Sequence, residues 1–403
     1  MKYAILLGDG MADRPLAELG GKTPLEAART PNMDRIAGTG LIGLVDTIPE
    51  GLKPGSDVAN LSVLGYDPRR VYSGRGPLEA ANMGVRLESG DVAFRCNLVT
   101  LGGDRLDVMD SYSAGHIGTD EAAQIIADLQ RSLGSREFQF HPGISYRHLL
   151  VWKGGKSSLV TTPPHDITGQ STMSCLPKGE GEQAILHLMR DAAPILKDHP
   201  VNRQRIADGK KPANAIWPWG QGLAPRLVPL TETYGIRGGM ISAVDLLNGM
   251  GVYAGLKVIR VEGATGFTDT NYIGKAQKAI ESLEEMDFVF VHVEAPDEMG
   301  HAGDINGKIK AIEDFDEKVV GTVLKGLEGL RPYRVMVLSD HPTPIVLRTH
   351  SAEPSPFAVL SSESGENSGR GTVYSEAEGS RSGLLLSPGH HLMERFILGR
   401  LHA

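Results

Sequence analysis

Apolar positions in this chain fall into two spacings. Short unbroken runs end in charged or glycine-bearing segments: "YAILLGDG" from Tyr3, "LKVIRVEGATG" from Leu256, "DFVFVHVEAPDEMGH" from Asp287 and "YRVMVLSDHPTP" from Tyr333. Runs rich in Val, Ile and Leu without alternation are the pattern of strands buried on both faces of a sheet. Between them, "NYIGKAQKAIESLEEM" from Asn271 and "GKIKAIEDFDEKVVGTVLKGLEGL" from Gly307 repeat apolar residues at helical spacing. Alternating strands and helices predict an α/β fold built on a parallel sheet, with the functional residues gathered at the carboxyl ends of the strands.

The middle of the chain is patterned differently. Residues 71–238 carry scattered Gly and Pro, shorter β-like runs such as "SYRHLLVWKGG", and the basic, aromatic "VNRQRIADGKKPANAIWPWGQG". The two ends share one style and the middle another, which predicts a smaller α+β domain, 71–238, inserted into a discontinuous domain of 1–70 and 239–403. Hinges are expected near Asp67 to Gly76 and Gly235 to Gly239, where Gly and Pro can absorb backbone rotation. The Gly/Ser/Glu-rich stretch 361–382 predicts a mobile loop.

Composition narrows the function classes. A chain of 403 residues, 40% hydrophobic, 22% charged and 5% aromatic, is that of a globular protein rather than a disordered one. Its formal net charge of −8 argues against a nucleic-acid or anionic-membrane surface while leaving room for a local basic pocket. Cys96 and Cys175 form neither a disulfide framework nor a four-thiolate metal site. The apolar run Tyr3 to Leu7 is too short for a signal peptide and no run approaches a membrane span, so a cytoplasmic location is expected.

Chemistry is concentrated where the apolar runs stop. Asp9 follows the first; Ser56 and Asp57 follow a Pro-Gly turn in "LKPGSDVANLSVLGY", read as a second strand end; Asp297 and His301 lie in "APDEMGH"; Asp340, His341 and His350 follow the last. Mixed carboxylate and imidazole donors suit Mn²⁺, Zn²⁺, Fe²⁺ or Co²⁺. Three Asp, three His and a Ser are too many for one ion and about right for two. A lone histidine is usually structural, and a serine ahead of a helix is usually an N-cap. What favours ligation is the recurrence of such residues at several run ends. Coordination would activate Ser56, a poor nucleophile at its ordinary acidity, for phosphoryl transfer. Other phosphate machinery is absent: "LAELGGKT" and "LLVWKGGKS" lack the first glycine of a Walker loop, and "GRGPLE" lacks the third of a dinucleotide fingerprint.

"GDGMADRP", "TPNMDRIA", "PGSDVANLSVLGYDP", "GRGPLEAANMG", "NAIWPWGQG", "APDEMGHAGD" and "SDHPTP" followed by "RTHSAEPSPF" resemble the archaeal-type 2,3-bisphosphoglycerate-independent phosphoglycerate mutases of the alkaline phosphatase superfamily, nearly end to end. The resemblance implies an alkaline-phosphatase-like domain holding two divalent ions, Mn²⁺ first, with Zn²⁺, Co²⁺ or Mg²⁺ as alternatives, and an inserted domain that binds a small phosphorylated substrate. It implies Ser56 as the phosphorylated nucleophile, with Asp9, Ser56, Asp340 and His341 as one metal set and Asp297, His301 and His350 as the other. In the insert it points to Arg75, Arg95, His116, Arg203 and Arg205 as substrate contacts and to Asp166, in "TPPHDITG", as a proton carrier. "YRHLLVWKGG" and "TPPHDI" are shared with a bacterial subgroup for which a homoserine kinase role has been proposed, so that reaction is the alternative. A catalytically dead metabolite sensor is a third reading.

Overall fold

The structure, a computed structural model, describes residues 1–363 and 372–401. The chain forms two compact units, Met1–Tyr72 with Arg226–Ala403, and Ser73–Pro225. In chain order the strands are β1 (Lys2–Gly8), β2 (Leu41–Val45), β3 (Val92–Gly102), β4 (Val108–Ser111), β5 (Phe138–His141), β6 (Arg147–Trp152), β7 (Ala215–Leu223), β8 (Gly238–Ile241), β9 (Lys257–Val258), β10 (Phe288–Val293), β11 (Tyr333–Leu338), β12 (Ser355–Ser361) and β13 (Leu385–Leu386).

The first unit is built on an eight-stranded sheet of order β13-β2-β12-β11-β1-β10-β8-β9. Its centre, β11-β1-β10-β8, is parallel, whereas β12 runs antiparallel to both β11 and β2. Ala4 to Leu7 are completely buried, as strands covered on both faces must be. One layer of the core joins Val289 and Val291 of β10 to Ala276, Ala279 and Leu283 of the helix Tyr272–Glu285 and to Ile312 and Phe315 beyond it. The segment "LKVIRV" yields only the two-residue edge strand β9, because Lys257 is exposed and pairing stops at Val258.

The second unit is a five-stranded antiparallel sheet in which β3 pairs with β4, β6 and β7, and β6 with β5. Helices Thr119–Leu133 and Glu182–Lys197 bury Ile125, Leu129, Ile185 and Leu188 against Phe94, Leu98 and Leu150.

The return crossing falls at 225/226, ahead of the expected 238. Residues 226–238 belong with the large sheet: Leu230 is buried and its N–H donates to Ala254 O at 3.0 Å. Gly238 and Gly239 are β8 residues rather than hinges. A Cβ on Gly238 would stand 2.6 Å from the Phe288 ring, and one on Gly239 would collide with Ile259. Of the loop expected over 361–382, residues 364–371 lie outside the described residues, and the helix Glu376–Arg381 follows them, with Ser375 Oγ accepting from Glu378 N. No helix among the described residues is long and apolar enough to cross a membrane.

Candidate active site

Register brings the first donors together. Leu7 of β1 pairs with His292 of β10 on one side and Leu338 of β11 on the other. The residues two places on, Asp9, Glu294 and Asp340, therefore leave adjacent parallel strands side by side. Asp9 and Asp340 are buried, and with His341 they form a group whose ligand atoms all lie within 4.8 Å of one another. His341 Nε2 stands 3.4 Å from Asp9 Oδ1 and 3.6 Å from Asp340 Oδ2. Ser56 Oγ lies beside this group, 3.2 Å from His341 Nε2.

Ser56 does not sit at a strand end. β2 stops at Val45, and Ser56 is the first residue of the helix Ser56–Val63, whose N-cap is Gly55. Its hydroxyl is thus not the helix cap and faces His341 instead. Asn60, one turn along the same face, donates to Ser56 O at 2.9 Å and to Asp340 Oδ2 at 2.8 Å, fastening the serine's backbone to a carboxylate of the set.

The helix Ala295–Ala302 presents Asp297 and His301 at i and i+4, with Nε2 of His301 3.1 Å from Asp297 Oδ2. His350 Nε2 lies 2.9 Å from His301 Nε2 and 3.5 Å from Asp297 Oδ1. His301 Nδ1 is 3.0 Å from Arg348 O, an arrangement in which Nδ1–H donates to the carbonyl and Nε2, which shares its proton with Asp297, is the nitrogen a cation would claim. The two groups adjoin: the His341 and His350 ring centroids are 4.3 Å apart, and the Thr343 hydroxyl donates to Asp297 Oδ1 while lying 3.3 Å from His341 Nδ1.

These residues fit divalent cations. Asp9 Oδ1 is buried with no hydrogen-bond partner among the described residues. Burial first, then the neighbouring charges of Asp340, Asp297 and Glu294, push the Asp9 carboxyl well above its ordinary pKa, a crowding that a cation relieves. Burial holds His341 below its usual value, which leaves a neutral ring with a free lone pair. Burial alone would raise Asp297, but hydrogen bonds from His301 and His350 outweigh it and hold the carboxyl well below the usual range; the Asp297 contact lifts His301 to about 9. Imidazole and carboxylate sharing protons in this way are donors that a metal ion can claim instead.

Some contributors carry no motif. His292 reaches Asp9 Oδ2, and its only signal was a single polar letter inside "FVFVHV". Asn60 and Thr343 were signalled by helical spacing from Ser56 and by proximity to Asp340-His341, respectively.

In the insert, Arg95 lies over the Trp219 ring at 4.6 Å from its centroid and 3.5 Å from Glu79. Burial presses its guanidinium below the ordinary value, opposed by Glu79 and reinforced by Arg75 and Arg147. Tyr112 packs edge-on to His116, Tyr146 and His165, and His165 packs against Trp219 at 5.3 Å. Arg95, His116 and His165 thus gather on one aromatic floor, with the charge of Arg75 felt at both Arg95 and His165 and the exposed Asp166 3.5 Å from His165. Arg203 is exposed on the helix Pro200–Ala207, outside this cluster. Arg205 corrects an expectation. Its buried guanidinium donates to Glu121 at 2.6 Å, Ala114 O at 2.6 Å and Lys211 O at 2.9 Å, so each of its three nitrogens is tied to the insert's own scaffold and the side chain braces the turn that carries His116. That turn is strained, with positive φ at both Ala114 and His116.

A family model described as 2,3-bisphosphoglycerate-independent phosphoglycerate mutase matches residues 37–202. A Geobacter sulfurreducens protein called a probable 2,3-bisphosphoglycerate-independent phosphoglycerate mutase is 55% identical over 398 residues, covering 98% of this chain and 100% of its own. The Methanosarcina barkeri enzyme of that name is 56% identical over 89% of this chain and 90% of its own. Among solved structures, a Pyrococcus horikoshii protein aligns with a TM-score of 0.81 at 31% identity over 99% and 97% of the two chains. The cofactor-independent phosphoglycerate mutase of Thermoplasma acidophilum aligns at 0.68, with 25% identity over 99% and 100%. The homoserine kinase alternative finds no support here: the family model, the Geobacter and Methanosarcina proteins and the Thermoplasma structure are all described as the mutase. The chain belongs to the 2,3-bisphosphoglycerate-independent phosphoglycerate mutase family.

Proposed function

We propose that the protein interconverts 3-phosphoglycerate and 2-phosphoglycerate without added bisphosphoglycerate, through a phosphoserine at Ser56. The observation that carries this reading is the hydroxyl of Ser56, 3.2 Å from His341 Nε2, beside one donor group and adjoining another. Divalent cations at the two groups, Mn²⁺ by preference for mixed imidazole and carboxylate donors, would supply positive charge that favours the serine alkoxide and balances the phosphoryl oxygens.

The chain's own residues do the rest. Ser56 Oγ forms a bond to phosphorus as the bond from phosphorus to the glycerate oxygen breaks. The proton lost by Ser56 balances the proton gained by the freed glycerate hydroxyl, with Asp166 and its neighbour His165 as carriers. Arg75, Arg95 and His116 hold the glycerate carboxylate and hydroxyls while it reorients, and the second hydroxyl then takes the phosphoryl group back. The Asn60 contacts keep Ser56 and Asp340 in fixed relation throughout.

The test is incubation of metal-loaded protein with 3-phosphoglycerate alone, following 2-phosphoglycerate by phosphorus NMR and seeking phosphoserine by mass spectrometry. Formation of 2-phosphoglycerate with label on Ser56, both lost in Ser56→Ala while ion binding persists, is expected. Undiminished turnover in Ser56→Ala would remove the serine from the mechanism. Binding without turnover in the wild type would mark a sensor instead.

A further inference from the structure

The nucleophile helix has a second end. The chain leaving its last turn, residues 64–71, forms one wall of a cavity of 570 Å³; residues 226–234 and 388–391 form the others, all within the sheet-bearing unit. At ~1.5 Å per residue, the helix Ser56–Val63 sets this cavity about 12 Å from Ser56. None of the metal-group side chains lines it.

Cationic side chains are prominent in its lining. Arg69 is committed to Asp67, with Nε 3.0 Å from Oδ1 and Nη2 3.1 Å from Oδ2. Arg70 reaches the same carboxylate only at 3.5 Å and is 85% exposed, and Arg226 is exposed as well. Asp67 is the only carboxylate among the lining residues, set against Arg69, Arg70 and Arg226; the nearby Glu394, whose charge is felt by Tyr234, is not among them. His390 and His391 add imidazoles 4.7 Å apart, and His390 Nδ1 is buried with no hydrogen-bond partner among the described residues. Apolar side chains share the lining: Leu64, Val228 and Leu230, with Tyr66 and Tyr234, the Tyr66 hydroxyl donating to Val228 O at 2.7 Å.

We propose that this cavity binds a small phosphate-bearing metabolite, with its phosphate on Arg70, Arg226 and His391 and its less polar body against Val228, Leu230 and Tyr234. Guanidinium groups in excess of carboxylate match a phosphate dianion. The volume lies within the range of small-molecule sites, and the apolar residues of the lining favour a ligand with a body over a bare inorganic anion. The occupant would act as an effector through chain continuity. Val71 leads directly into Tyr72, the last residue before the outgoing crossing, and Arg226 is the first residue after the return. Tyr72 in turn donates its hydroxyl to Asp57 Oδ2 at 2.5 Å, and Asp57 adjoins Ser56. A ligand that orders residues 64–71 therefore bears on the nucleophile's own turn. The binding claim does not depend on the mutase reading.

Hydrogen-exchange mass spectrometry on the full, metal-loaded chain tests it, with AMP as probe and inorganic phosphate as comparison, in wild type, in Ser56→Ala and in an Arg70→Glu/Arg226→Glu double variant. The expected result is slower exchange across 226–234 and 388–391 with AMP in both wild type and Ser56→Ala, with inorganic phosphate weaker. In the double variant AMP affinity should fall at least about tenfold through loss of charge-assisted contacts, while thermal unfolding and basal turnover stay as in the wild type. No protection by either probe at millimolar concentration overturns the proposal. So does protection that survives the charge reversal, or protection without probe that grows with protein concentration, which would assign the face to a second copy of the chain.

Discussion

His292 Nε2 lies 2.8 Å from Asp9 Oδ2, and both side chains are buried in the centre of the sheet. His292 Nδ1 lies 3.2 Å from the Ser242 hydroxyl, whose oxygen already accepts from Val244 N at 3.0 Å. A ring protonated on Nε2 donates that proton to Asp9 and takes the Ser242 hydroxyl proton at Nδ1. Burial, then the charge of Lys275, hold the imidazole well below its ordinary pKa, so the ring is neutral. One carboxylate oxygen is pinned and the other, Oδ1, is left bare for a cation. His292→Phe should fold and should bind Mn²⁺ about 10- to 100-fold more weakly at the Asp9 group, the usual cost of losing a partner that orients a metal ligand. Competition against a chelating dye reads the affinity directly. Unaltered affinity would deny His292 this positioning role.

Gly10 threads between the two donor groups. Its N–H donates to Asp340 Oδ1 at 3.1 Å, its φ is +60°, and a Cβ there would stand 2.5 Å from Asp297 Oδ1 and 2.6 Å from Thr343 Oγ1. Gly10→Ala combines a left-handed backbone penalty of about 1 kcal/mol with displacement of a ligand carboxylate. Thermal unfolding should shift by only a few degrees, while metal analysis shows at least one ion lost and turnover falls by roughly two orders of magnitude or more. Full metal content in an inactive variant would place the damage elsewhere.

The parts of this site that were legible in the sequence are those where one residue type has one physical use. Apolar runs closing on Asp9, Asp297 and Asp340 could hardly be anything but buried strands meeting polar loops, and parallel register then aligned their ends. "LKVIRV" has the same letters as a central strand and makes an edge, because the hydrogen-bond partners that decide this lie far away in the chain. Ser56 was legible as a neighbour of the donor group, although its position was misjudged: a Pro-Gly turn announces a loop but not how far back the strand ended. Burial was illegible. Arg95 sits in the apolar run "VAFRCNLV" and Arg205 in the polar stretch "NRQRIADGKK", yet it is Arg205 that tertiary packing buries as a brace for the His116 turn.

Lys275 is wholly buried beneath the same strand, its ammonium donating to His292 O at 3.0 Å. Burial lowers its pKa from 10.5 to about 8, with Glu294 opposing. Unfolded chains keep that proton up to the ordinary value, so between about 8 and 10.5 the unfolded state binds more protons than the native one. Stability contributed by this group therefore rises with pH across that window, and below it the penalty of burying the charge is present in full. The gap corresponds to about 3 kcal/mol. Urea unfolding of the wild type should show that rise between pH 8 and 10.5, superimposed on other titrations, and Lys275→Met should flatten it. Equal slopes in the two proteins would show that Lys275 is not the group responsible.

Arg95 and Arg205 should separate substrate binding from stability. Arg205 satisfies Glu121 and the carbonyls of Ala114 and Lys211 with almost no solvent access. Arg205→Met leaves a carboxylate and two carbonyls without their donor, a loss of about 3 kcal/mol. Its effect on phosphoglycerate KM should stay within a few-fold, transmitted only through the His116 turn. Arg95 has a weaker tie, Glu79 at 3.5 Å, and its planar face rests on Trp219, where a methionine can still pack. Arg95→Met should therefore cost less stability than Arg205→Met while raising KM by roughly 100-fold or more, the price of removing a charged contact to a carboxylate or phosphate. Chemical denaturation and steady-state kinetics on the pair give four numbers with opposite expected order. A large KM increase in Arg205→Met at unchanged stability, or an unchanged KM in Arg95→Met, would reverse the assignment of the two arginines.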